Sequence, residues 1–192
     1  MMTGPIFYVF IVIIAIAWIG TISMVIKMYK KAKPGEALIR TGMGGTKISF
    51  HGLFVIPVLH NLERLEITAK IHEVKKLGEN HLLTKDGQKL EIAVFFYLRV
   101  NQTENDVKQV AQAFGNEDIS SPQFIERNFG KKFEEAILTL VYRRNLDELL
   151  SNMDDFKMEM INTIGIDLNG FILDDVAIHH LKELEESYNT QS

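Results

Sequence analysis

The chain has 192 residues, a formal net charge of −4 and no cysteine. The missing cysteine excludes disulfides, thiolate metal sites and thiol nucleophiles. The mild acidity, with no gathered basic face, argues against nucleic acid as a partner.

In chain order, the first element is Ile6 to Ile26, twenty-one residues without a charge and interrupted only by Gly20, Thr21 and Ser23. A helix of that length spans roughly 30 Å, the hydrocarbon thickness of a bilayer. Lipid requires such a segment to satisfy its own backbone hydrogen bonds as a helix. Phe7 and Tyr8 at one end and Tyr29 at the other suit the interface, whereas Trp18 is central and faces lipid or a helix neighbour. A secretory signal would carry its charge before the apolar run and end in a small-residue cleavage site, which this segment does not. Lys27, Lys30, Lys31 and Lys33 follow at once. The positive-inside rule then predicts an N-terminus outside and the rest of the chain in the cytoplasm. The same lysines are placed to contact anionic lipid head groups, each worth about 1 kcal/mol near the surface.

Residues 1–33 thus form the anchor and its lysine-rich exit. Pro34-Gly35 punctuates its end. Glu36 to Arg40 reads as a strand, the glycines at 42, 44 and 45 as a turn, and Lys47 to Phe50 as the returning strand. The glycine cluster lacks phosphate-loop spacing and leads into a strand, so no helix N-terminus awaits a phosphate. Gly52 to Leu59 is apolar on both faces and contains Pro57, which argues against a central strand. Two readings stand: a buried connection, or a loop in which Leu53, Phe54, Val55, Ile56, Val58 and Leu59 rest against the membrane. Asn61 to Val74 alternates as one long or two shorter strands.

Asp86-Gly87 predicts a two-residue hairpin turn. From Leu90 to Val100 every second residue is apolar, as in a strand packed hard on one side. The period then becomes helical. Thr103 caps a helix over 104–114 that stops at Gly115. Ser121-Pro122 opens another that runs to about Arg144. Asn145 with Glu148 forms a capping box, and a further helix spans about 154–164. Phe171 to Ile178 is a last strand, and Leu181 to Tyr188 begins a charged helix. Strands, then helices, then a strand predict an α+β domain with helices on one face of a mostly antiparallel sheet.

No residue is nominated as catalytic, metal-binding or cofactor-binding, and no cofactor is implied. None of the six histidines lies in an HExxH pattern. His179-His180 would point to opposite faces of a continued strand. Asp154-Asp155 and Asp174-Asp175 are adjacent carboxylates, which diverge rather than converge on a reacting atom.

Taken whole, the succession of anchor, PGEALIRTGMGGTKISFHGLFVIPVLHNLERLEI, LLTKDGQKLEIAVFFYLRV and the run from Phe129 to Ile178 resembles the SPFH (band 7) domain of stomatins, prohibitins and flotillins. It is most similar to the bacterial flotillin-like inner-membrane proteins. The local matches are Arg40-Thr41-Gly42-Met43-Gly44-Gly45, Leu83-Thr84-Lys85-Asp86 and the helical run from Leu146 to Phe156. The resemblance implies a membrane-proximal part over 34–72 and an α+β body over 73–180. It also favours the membrane-resting reading of the 53–59 loop. It further implies a non-enzymatic scaffold in a bacterial inner membrane that forms homo-oligomers and gathers lipids into microdomains. Membrane lipids and an NfeD-like protein or membrane protease are the implied partners. The alternative is a regulatory subunit of a membrane protease or transporter without large self-assembly. Flotillins continue into a long heptad region, whereas residues 181–192 hold only the start of a helix. This is either a short family member or part of a longer chain, and it puts large-cage assembly in doubt.

Overall fold

A computed structural model describes residues 4–115, 117–165 and 167–184. The chain divides into two compact units, Met1–Leu65 and Glu66–Ser192.

The first unit opens with α1 (Gly4–Met28), followed by β1 (Tyr29–Lys31), β2 (Glu36–Gly42), β3 (Lys47–Ser49), β4 (Gly52–Phe54) and β5 (His60–Glu66). Strands β3-β2-β5 form one small sheet and β1-β4 another. Ala37, Leu38 and Ile39 of β2 with Val55 and Leu65 supply its buried side chains. The β2–β3 hairpin forms where the glycine-rich turn was expected. Within the 52–59 segment the first three residues form β4 and the remainder a turn.

The second unit holds β6 (Lys70–Lys76), β7 (Leu82–Leu83), β8 (Lys89–Val100), β9 (Asp167–Leu168) and β10 (Phe171–Glu183) in an antiparallel sheet ordered β6-β8-β10-β9, with β7 also on β8. β6 pairs along its whole length with β8. It therefore lies in the second of the two compact units. On β8, Leu90, Ile92, Val94, Phe96, Leu98 and Val100 are all buried. The helices are α2 (Glu104–Phe114), α3 (Pro122–Ile125), α4 (Lys131–Arg143), α5 (Leu146–Ser151) and α6 (Met153–Ile164); α2 packs on β8, α3 on β6, α4 on β7 and α6 on β10, with α5 against α6. Phe96 and Phe133 stack at 4.4 Å, and Phe114, Phe124, Phe129 and Phe171 form an adjoining cluster of ring contacts. This is the α+β arrangement expected from the order of elements.

Caps form as the sequence requires. The Thr103 hydroxyl accepts the Asp106 amide, the Ser121 hydroxyl accepts the Phe124 amide, and Asn145 with Glu148 forms the reciprocal box. Four expectations change. The 84–88 hairpin has a three-residue loop, closed by Thr84 N–H donating to Gln88 O at 3.0 Å. Gly87 sits at φ +78°, so the glycine supplies a bulge after a three-residue turn rather than half of a two-residue turn. The helix begun at Ser121 is not uniform, because a π turn over Glu126–Gly130 separates α3 from α4. Ile125, Phe129, Phe133 and Ile137 recur every four residues, slower than the 3.6 of an α-helix, and the wider π turn keeps them on one face.

The third change is at the C-terminal end. β10 continues through Leu181 to Glu183, paired with Ile92 to Leu90. The expected helix from Leu181 is therefore strand over 181–183, because the long β8 offers unpaired backbone there. Residues 185–192 lie outside the described residues. The fourth is the histidine pair. A register shift between Ile178 and His180 brings His179 to the Phe95 ring at 5.5 Å and His180 to 3.5 Å from the Glu91 carboxylate. Glu91 and Phe95 share one face of β8, so the bulge puts both histidines on that face.

Candidate membrane interface

α1 is long and apolar enough over Phe7–Met28 to cross a membrane, and no residue of that span is buried. Phe7, Tyr8, Trp18 and Ile26 are all exposed on it, and Ile6 lies in its first turns. An exposed helix surface this apolar is stable only against lipid or other helices.

The exit of this helix is stitched to the apolar segment that follows the first hairpin. The helix ends at Met28 and the chain passes without a loop into β1, which pairs antiparallel with β4: Tyr29 opposite Phe54, Lys30 opposite Leu53 and Lys31 opposite Gly52. Beyond the ladder, Val55 N–H donates to the Met28 carbonyl at 2.8 Å and Ala32 N–H to the His51 carbonyl at 2.9 Å. The Tyr29 and Phe54 rings lie 5.1 Å apart. Gly52 makes this possible, since a Cβ there would sit 2.6 Å from the Tyr29 hydroxyl and 2.9 Å from the Lys30 carbonyl oxygen. Nothing in the sequence pattern announces β1, because three residues rich in lysine carry no alternation.

After β4 the chain turns tightly. Leu59 and His60 N–H both donate to the Ile56 carbonyl, at 3.0 and 2.9 Å. The His60 ring closes the turn: Nδ1 accepts the Ile56 amide at 3.1 Å, and Nε2 lies 3.0 Å from the Met43 carbonyl. An accepting Nδ1 in a neutral ring leaves the proton on Nε2, which therefore donates to Met43. Met43 N–H in turn donates to the Leu59 carbonyl at 3.1 Å. Gly42 lets the two segments meet, since a Cβ there would lie 2.2 Å from Leu59 O. The glycine-rich turn is thus the seat of the 56–60 turn.

Of the residues expected to rest on a membrane, Phe54, Val58 and Leu59 are exposed, Val58 to 92%. Leu53 and Ile56 are half-buried, and Val55 is buried, facing the unit's own interior. Met43, not singled out from the sequence, is 65% exposed and joined to the same turn. Among the lysines, Lys33 pairs with Glu36 at 4.0 Å, and Glu36 also takes Arg64 at 2.8 Å. Lys27, Lys30 and Lys31 have no ion-pair partner among the described residues. Free cations therefore flank the helix exit beside exposed Phe54 and Tyr29, an arrangement that suits an anionic, half-apolar boundary.

The acidic pairs separate as expected. Arg99 holds Asp174 at 2.9 Å and Lys157 holds Asp175 at 2.7 Å. The Lys157 ammonium keeps the Asp175 carboxyl below its usual range. Asp154 and Asp155 lie in the first turn of α6, where acidic side chains favour the helix dipole.

A helix able to cross a membrane, joined by backbone pairing to a small β unit and followed by an α+β body, defines a membrane-associated domain protein. The SPFH domain / Band 7 family matches residues 30–190, and the chain belongs to that family. It is similar to the flotillin family inner membrane protein YqiK of Escherichia coli (strain K12), with 25% identity over 185 residues, covering 94% of this chain and 33% of the relative. It is also similar to the flotillin family inner membrane protein sll1021 of Synechocystis sp. (strain ATCC 27184 / PCC 6803 / Kazusa), with 28% identity over 188 residues, covering 94% of this chain and 28% of the relative. The chain spans about a third or less of the length of these relatives. Both relatives are named as inner membrane proteins of the flotillin family.

Proposed function

We propose that this chain is a non-enzymatic scaffold of the bacterial inner membrane that self-associates at the bilayer and gathers lipids and partner proteins there. The observation that carries the reading is the pairing of β1 with β4 at the helix exit. It fixes an apolar turn to the anchor, so that one insertion event brings both to the lipid. α1 spans the bilayer with its N-terminus outside, and Lys27, Lys30 and Lys31 meet the anionic head groups of the inner leaflet. Phe54, Val58, Leu59 and Met43 enter the boundary beside them. Copies held in one plane associate at high effective concentration, so weak individual contacts to lipids and partners become strong collectively. The implied partners are an NfeD-like protein or a membrane protease.

The chain has no cysteine, so a single label tests the boundary contact. Val58→Cys in the full chain, carrying an environment-sensitive dye and reconstituted in vesicles, should be quenched by a lipid-borne quencher and shielded from aqueous iodide. A label at Lys85→Cys serves as the water-exposed control. Equal iodide quenching at both positions would sink the membrane-resting turn.

A further inference from the structure

The second unit carries an open apolar groove of about 580 Å³ between β7 and α4. Leu82, Leu83, Leu138 and Tyr142 line it, with His81 and Arg143 also at its wall. Leu83, Leu138 and Tyr142 are exposed, Tyr142 to 72%. Arg143 is exposed and has no ion-pair partner among the described residues. The groove is therefore apolar with an uncompensated positive charge.

The same unit carries the complement. Along α5 and α6, Leu150, Met153 and Met158 are exposed. Asp147, Asp154 and Asp155 lie among them, exposed and without an ion-pair partner among the described residues. This ridge is apolar and acidic where the groove is apolar and basic.

The sheet register puts the groove and the α6 part of the ridge on opposite flanks of α4, while α5 begins beside the β7–β8 turn, where Leu146 N–H donates to the Asp86 carboxylate at 3.3 Å. Leu90 of β8 pairs with Leu82 of β7 and with Glu183 of β10, so β7 and β10 take opposite edges of β8. α4 packs against β7 on one flank and against α6 on the other, and α6 lies against β10. Met158, Asp154 and Asp155 of α6 therefore face away from the groove of their own copy. Between two copies ridge and groove match in both polarity and charge, and such a contact leaves a groove free at one end and a ridge free at the other.

We infer that the β7–α4 groove receives the α5–α6 ridge of a second copy of this chain in a head-to-tail contact. The inference rests on the self-association reading and assigns it a surface. Because the contact is heterologous, it propagates until a ring closes, without requiring a heptad region.

Cross-linking in the cysteine-free chain tests it. Full-length Leu138→Cys and Met158→Cys chains are co-expressed, solubilised in detergent and treated with a short bis-maleimide. The mixture should give a cross-linked pair, and either variant alone should give less than about a tenth as much, since 138 faces 158 and not itself. Arg143→Glu added to the Leu138→Cys chain should cut the mixed yield at least tenfold. Asp154→Arg with Asp155→Arg in the Met158→Cys chain should restore it, a rescue that misfolding would not give. An assembled chain that yields no mixed pair, or yields equal pairs from one variant alone, overturns the groove while leaving self-association standing. A chain whose mass by light scattering is that of a monomer overturns both.

Discussion

Replacing Phe54 and Val58 by serine should weaken binding to vesicles without unfolding the small β unit. Val58 is 92% exposed and Phe54 53%, so neither is needed for the interior. Full burial of such side chains stabilises by roughly 1.5–3 kcal/mol each. Scaled by what is exposed and available for burial, Val58 contributes about 1.5 kcal/mol and Phe54 about 1.2 kcal/mol. The sum, about 2.7 kcal/mol, corresponds to a hundredfold change in partition at about 1.4 kcal/mol per decade. Interfacial burial is less complete than transfer to hydrocarbon, so the expected loss is tenfold to a hundredfold. The assay is co-sedimentation of a chain beginning at Lys27 with vesicles containing anionic lipid, at low and high salt. Salt should weaken both proteins alike through Lys27, Lys30 and Lys31, while the apolar difference should persist at high salt. Equal binding by the variant and its parent at high salt would refute the reasoning.

Further outcomes follow from single positions. Gly42→Ala would place a Cβ 2.2 Å from the Leu59 carbonyl at φ +125°. It should lower stability by about 1–3 kcal/mol, read as a lower thermal midpoint with faster exchange of the Met43 amide. Phe133→Ala removes a fully buried ring stacked on Phe96 and should cost about 3–5 kcal/mol in urea unfolding of the second unit. Burial holds the His72 imidazole below its ordinary value of 6.5, with the nearby Glu126 carboxylate opposing. Between the folded value and 6.5 the unfolded chain takes up a proton that the folded chain resists. The corresponding stability is present above 6.5 and is lost as pH falls through the folded value. His72→Phe should flatten the fall in urea midpoint between neutral and mildly acid pH, and an unchanged pH slope would count against it.

Much of the architecture is legible because it is local. Thr103, Ser121 and the Asn145–Glu148 pair mark helix starts through hydrogen bonds made within three residues of themselves. The apolar alternation of β8 shows which face is buried. What could not be read depends on distant partners. β1 exists only because β4 lies beside it. The HHLKE segment carries a charge pattern that also suits a helix, yet β8 extends far enough to recruit it as strand. The two-residue turn Asn169-Gly170, both residues at positive φ, joins β9 to β10. Asn-Gly is a strong hairpin signal, but the strand before it is only two residues long. The π turn left a trace in the four-residue spacing from Ile125 to Ile137. In the candidate interface, the apolarity of 53–59 and the four lysines were visible. The inward turn of Val55 and the tethering of the segment to Met28 were not, since both follow from pairing across more than twenty residues.

Assembly of this chain at the membrane is the proposal from which the other expectations follow. The most direct test is the mass of the full-length chain in detergent, by light scattering corrected for bound detergent. A single uniform species of many copies is the predicted result. A monomer or dimer would contradict the account and leave a regulatory subunit that joins another protein's assembly.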